Sequence, residues 1–223
     1  MRSVLWLLLF FMGMPVLAQR VLRVNVLPLF GEQPLVEGQV YHLDSGTLAI
    51  HQLRFYVSDL QLLRRGKIVF EERKKAHLLD LAEAMDFTVM LKKEVVFDSV
   101  RLVLGIDSAL HVSGALGGDL DPTRGMYWTW QSGYIHIKME GNCQGCNTNK
   151  EAFQLHLGGY TGATRAAVPM QFSARGDTLN LALHLEQFFA EQPLREGAEV
   201  LSPGARAVAL AKLFAGCIEP LKP

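Results

Sequence analysis

Strict alternation of apolar and polar residues recurs along this chain, and that period of two constrains the fold more than any other feature. Leu22, Val24 and Val26 alternate with Arg23 and Asn25. His51, Leu53, Phe55 and Val57 share one parity, and Gln52, Arg54 and Tyr56 share the other. The same pattern runs through Val100–Leu104, Phe153–Leu157 and Leu179–Leu185. Lys67–Glu71 follows an Arg65-Gly66 turn, and Arg175-Gly176-Asp177 reads as a hairpin turn before the Leu179 strand. Successive side chains of a strand point to opposite faces, so each segment buries one face and wets the other. Several such strands with turn signals between them predict an all-β fold, an antiparallel β-sandwich with a few short helices.

Helix signals are sparse. Ser202-Pro203 reads as an N-cap and first-turn proline, Ala205–Ala215 is helix-friendly, and Gly216 can close it. This places one helix near the C-terminus. Glu83–Lys93 is read as holding a short helical turn. With 49% hydrophobic and 20% charged residues the chain has an ordinary globular composition, not a disordered one. Lys plus Arg and Asp plus Glu both number 22. A chain with no net charge lacks the basic balance of a general nucleic-acid binder.

Residues 1–18 read as a signal peptide: Arg2, an apolar run from Val4 to Met14, the breaker Pro15, then small residues to Ala18. The run is shorter than the ~20 residues a membrane span needs. No later segment is long and apolar enough to span. The expected product, residues 19–223, is one extracytoplasmic domain without a membrane span, periplasmic or secreted.

The segment from Gly105 to Tyr160 is dense in chemistry. The loops Gly105–Asp107 and Leu120–Gly125 lead into Tyr127-Trp128-Thr129-Trp130. Trp6 lies in the signal segment, so Trp128 and Trp130 are the tryptophans of the mature chain. At strand spacing they share a face, as core residues or as an aromatic platform or oxidisable pair. A bulge near Gly133 would turn His136 away from them.

Cys143-Gln144-Gly145-Cys146 lacks the following histidine of c-type haem attachment and a second C-x-x-C for zinc. Four readings stand: an intraloop Cys143–Cys146 disulfide, a bridge from either cysteine to Cys217, or a copper(I) thiolate site. No H-E-x-x-H, G-x-S-x-G or phosphate loop occurs, so enzymatic hydrolysis lacks its usual signatures. Asp107, Asp119 and Asp121 supply carboxylates for a calcium site or simply for turns. His184 sits on a wet strand face. His156 stands apart because paired glycines, Gly158 and Gly159, follow it and permit close approach.

The strings LGIDSALHVSG, GDLDPTRGMYWTWQSGYIHIKMEG and FQLHLGGY, with LRFYVSDLQL and the weaker HLLDL before them, resemble the MbnP-like family of methanobactin-associated periplasmic proteins. The motifs lie in order between Leu48 and Tyr160. The Cys143–Cys146 segment departs from the pattern, and the C-terminal third matches only in being strand-rich. The resemblance implies a periplasmic β-sandwich associated with copper and no enzymatic activity of its own. It implies a partner, a MauG-like dihaem cytochrome c peroxidase, that oxidises a tryptophan to kynurenine. Carried to this chain, the oxidisable residue is Trp128 or Trp130. The implied metal ligands are His156 first, then His51 and His136. The resemblance implies asparagine at position 111, so His111 is not counted among them. The rival reading is a non-catalytic binding or structural module of the cell envelope.

Overall fold

A computed structural model describes residues 20–221, apart from 45, 75, 93, 131, 132, 193, 195 and 196. The signal-peptide expectation therefore falls outside the described residues. In chain order the elements begin with β1 (Arg20–Phe30), β2 (Gln33–Pro34), β3 (Val40–Leu43), β4 (Gly46–Arg64), β5 (Lys67–Glu71), β6 (Ala76–Asp80), β7 (Asp86–Leu91) and β8 (Ser99–Leu104). They continue with α1 (Ser108–Val112), β9 (Tyr127–Trp128), β10 (Gly133–Cys143), β11 (Ala152–Gly158), β12 (Val168–Ser173) and β13 (Thr178–His184). α2 (Leu185–Glu191), β14 (Glu199–Val200), α3 (Ala205–Gly216) and β15 (Ile218–Pro220) complete the chain.

Two sheets form. The smaller runs β15-β13-β1-β2, with β7 also on β1. The larger runs β12-β8-β4-β10-β11-β14, and β3, β5 and β6 also pair with β4. The sandwich is as the alternation predicts. Most pairings are antiparallel, but β1 with β13 and β11 with β14 are parallel. Leu22, Val24 and Val26 of β1 and Leu179, Leu181 and Leu183 of β13 meet Leu53, Phe55, Val57, Ile137, Leu155 and Leu157 in one buried core. Phe188 of α2 and Phe214 of α3 join it, with the Phe214 ring 5.5 Å from Phe55 and 5.9 Å from Phe188.

Long β4 keeps its apolar side inward by slipping register twice. Its pairing with β10 passes from Gly141–Ile50 to Glu140–Gln52, which leaves His51 as an extra residue. A second irregularity lies between Ser58 and Gln61, where Asp59 has φ 50°. Each bulge reverses the parity, so Ile50, then Leu53, Phe55 and Val57, and then Leu60 all face the core. Simple alternation therefore misplaces His51: it is exposed, off the core face.

Three further expectations change. Glu83–Lys93 holds β7 instead of a helical turn; Phe87, Val89 and Leu91 alternate strictly inward, and the pairing with β1 decides for strand. Gly204, not Ser202, precedes α3, and no side chain caps it. The Arg175–Asp177 turn carries the chain from β12 in one sheet to β13 in the other, so it is a crossover and no hairpin. Arg65-Gly66 does close a two-residue hairpin, both residues having positive φ as its turn type demands.

Cys143 and Cys146 form a disulfide at the end of β10, and Cys217 is a free, buried thiol that burial pushes up to about 11. Because the bridge closes a loop of only a few residues, its removal has a modest expected effect. The Cys143→Ala/Cys146→Ala double variant should lose about 2 kcal/mol in urea unfolding. No helix among the described residues is long and apolar enough to cross a membrane.

Candidate functional site

A second, smaller core covers the outer face of the large sheet. Tyr56, Ile106, Leu120, Met126, Trp128, Tyr134 and Ile135 form it. Tyr56 points away from the main core because its neighbours Phe55 and Val57 point in. The chain from Gly105 to Tyr134 wraps over this face as α1, two one-turn 3-10 segments and the β9–β10 hairpin. Two tyrosines pin it. Tyr134 Oη accepts from Leu116 N–H (3.0 Å) and donates to the Leu120 carbonyl (2.9 Å). Tyr56 Oη donates to the Asp119 carbonyl at 2.8 Å. Arg54 Nη1 and Lys138 Nζ hold the carbonyls of Arg124 (2.9 Å) and Gly125 (3.4 Å), which fixes the turn just before Met126.

The three aspartates are spent on this scaffold. Asp107 accepts from the amides of Ala109 and Leu110 and caps α1. Asp119 pairs with Lys74 at 2.8 Å and accepts from Leu78 N–H. Asp121 caps the second 3-10 turn through Thr123 N–H. Asp107 and Asp121 serve as caps, and Asp119 ties its turn to Lys74 and β6.

Hairpin geometry separates the two tryptophans. Trp128 pairs with Gly133 across β9–β10, and Trp130 sits in the connecting turn. Their ring centroids are 6.2 Å apart at 53°. Trp128 is 6% exposed and Trp130 66%. The burial of Trp128 has a specific cause in Gly158. A Cβ on that glycine would stand 2.7 Å from Trp128 Cζ3, so only glycine lets the indole lie on β11. His156 is two residues before Gly158 on the same strand and therefore on the same face. The indole of Trp128 and the imidazole of His156 thus take successive places on one face. His156 Nε2 lies 2.6 Å from Glu140 Oε1, and Lys138 Nζ is 3.4 Å from the same carboxylate oxygen. The histidine bond holds the Glu140 carboxyl below its usual range. A carboxylate bonded to one ring nitrogen orients the imidazole, an arrangement common behind metal ligands.

The remaining histidines go elsewhere. His51, at its bulge, bonds Asn142 Oδ1 at 2.7 Å. His136 is fully buried at a register shift of β10, between Ile135 and Ile137. Its Nε2 lies 2.6 Å from His111 Nε2. His111 Nδ1 accepts from Tyr134 N–H at 3.2 Å, so a neutral His111 carries its proton on Nε2 and donates it to His136. Tyr160 stacks on His111 at 4.5 Å, and a Cβ on Gly105 would come within 2.6 Å of His136 Nδ1. Burial pushes His111 down to about 4, and burial and then His111 push His136 down to about 3. Both Nε2 atoms face each other and neither is offered to a third group.

His51, His136 and His156 are thus not gathered into one cluster. Among the described residues no three His, Cys, Asp or Glu side chains are placed to hold a metal ion. His111, set aside on sequence grounds, meets His136 because α1 folds back over β10. Asp107 as a cap for a helix at Ser108 was the available signal.

Fold and site together define a two-sheet β-sandwich whose outer, loop-built core presents one buried and one exposed tryptophan. The MbnP family model matches residues 19–202, and the chain belongs to that family. Among solved structures it is similar to MbnP from Methylosinus trichosporium, with a TM-score of 0.62 and 14% identity over 85% of this chain and 87% of that one. At that identity the likeness is one of fold. No curated protein matches the chain.

Proposed function

We propose that this is an extracytoplasmic copper-binding accessory protein, itself non-catalytic, and the protein substrate of a MauG-like dihaem cytochrome c peroxidase that converts a tryptophan to kynurenine. The observation that carries the reading is the hairpin that displays Trp130 to solvent 6.2 Å from Trp128, whose indole lies against Gly158, two residues along β11 from His156. Indole is a reasonable electron donor to a high-valent haem, and electron transfer needs only docking of two surfaces. Among the described residues the donors for copper are incomplete: His156, oriented by Glu140, supplies one imidazole ligand. Kynurenine replaces an indole N–H with a carbonyl and an aryl amine, two more donors. Copper affinity is therefore expected to depend on the oxidation.

The test is intact mass after incubation of the full chain with the peroxidase and peroxide, followed by copper(I) titration. Kynurenine adds about 4 Da to tryptophan, one oxygen gained and one carbon lost. The oxidised protein should bind copper(I) at least about tenfold more tightly than the untreated one, and His156→Ala should abolish the difference. An unchanged mass together with no copper binding would leave the rival reading, an envelope binding module that uses exposed Trp130 as a contact face.

A further inference from the structure

We infer that the two tryptophans divide the oxidation between them: Trp130 is the surface donor that meets the oxidant, and Trp128 is the residue converted. The inference rests on the proposed function above and names the residues of that same site. Trp130 is 66% exposed in the hairpin turn, where another protein can reach its ring. Trp128 lies under the hairpin against Gly158 and is 6% exposed. A residue this buried presents little surface to a second protein. The two requirements of the chemistry thus fall on different residues. Contact with a macromolecular oxidant needs Trp130. A product with donor atoms beside His156 needs Trp128, since Trp128 shares the outer face of β11 with that histidine. The 6.2 Å between ring centroids is near van der Waals contact for two indoles, so an electron crosses without an intervening group.

The balance is as follows. Trp128 and three waters give kynurenine, formic acid, four protons and four electrons. The bond between C2 and C3 of the indole breaks, both carbons gain oxygen, and C2 leaves as formate after hydrolysis of the N-formyl group. The four electrons pass one at a time through Trp130 to the partner's haem iron. Two hydrogen peroxide molecules accept them with the four protons and become four waters. The net reaction consumes two peroxides per kynurenine.

Three chains test this with the same peroxidase and peroxide: wild type, Trp130→Phe and Trp130→Tyr. Tandem mass spectrometry assigns the added mass to a residue, and rates are read at saturating peroxidase so that docking does not limit them. In wild type the mass gain is expected at Trp128. Trp130→Phe keeps an aromatic contact but cannot be oxidised, and the rate at Trp128 should fall at least about tenfold. Trp130→Tyr restores an oxidisable ring and should recover a substantial part of that rate. Replacement of an exposed side chain leaves folding intact, and equal melting curves check it. A gain at Trp130 in wild type, or Trp130→Phe reacting at the wild-type rate, overturns the relay and leaves the proposed function standing. No gain in wild type, with peroxide consumption proving the peroxidase active, overturns both.

Discussion

Gly141→Ala should cost about 4 kcal/mol or more and leave little folded protein at 37 °C. Gly141 is on β10 opposite Ile50, at the place where β4 bulges to eject His51. A Cβ there would lie 1.9 Å from the Ala49 carbonyl oxygen and 2.6 Å from the Phe153 ring. A carbonyl in a sheet cannot step aside without breaking its ladder, and Phe153 is fully buried in the main core. Neither neighbour can yield cheaply. Gly117→Ala is the matched control, because nothing lies within 4 Å of its Cβ position. Thermal and urea unfolding of both variants check the expectation. A Gly141→Ala protein that melts within a few degrees of wild type would show that β4 and β10 are not this close.

Acid should unfasten the outer core through the buried histidine pair. In the unfolded chain both imidazoles titrate near 6.5, whereas His111 is pushed down to about 4 and His136 to about 3. Between these limits the unfolded chain binds more protons, so stability is full above pH 6.5 and is lost as pH falls through the window. The structural reason is the proton arrangement. His111 Nδ1 is occupied by Tyr134 N–H and His136 Nε2 by the His111 proton, so one more proton must break one of these bonds. Asp107 faces His111 and favours its charge, while Arg165 disfavours charge on His136. From pH 7 to pH 4 the two groups together should lose on the order of 6 kcal/mol, or roughly 12–24 °C in Tm for a domain of this size. Urea unfolding at several pH values measures it. His111→Gln keeps an N–H for His136 but cannot titrate, so its stability should fall less steeply. Identical slopes for wild type and variant would remove the pair as the cause.

Strand identity was legible wherever packing follows the local period. Leu22–Val26, Val100–Leu104 and Phe153–Leu157 are strands with the predicted residues inward. β7 was missed in the sequence although it alternates, because Glu83, Lys92 and Lys93 at its margins read equally well as a helix surface. The paired glycines after His156 were legible as a point of close approach. What approaches was not: Trp128 lies against Gly158, and the Thr164 carbonyl lies against Gly159. Among the candidate ligands, His156 lies two residues from Gly158, the glycine against which Trp128 packs. His51 and His136 each sit at a register shift; Gly133 marked the second of these in the sequence, and nothing local marked the first.

The amino-acid sequence by itself determined a β-sandwich with one helix near its C-terminus, the strand spacing of Trp128 and Trp130, and a family resemblance through motifs between Leu48 and Tyr160. These depend on residues near one another in the chain, and period-2 burial is a local property. Only the tertiary structure decided which tryptophan is buried, which histidines meet, and that Cys143 bonds Cys146 while Cys217 stays free. Each of these outcomes is set by a neighbour far along the chain. Gly158 makes room for one indole, α1 lays His111 over His136, and β10 forces β4 to give up one residue of register.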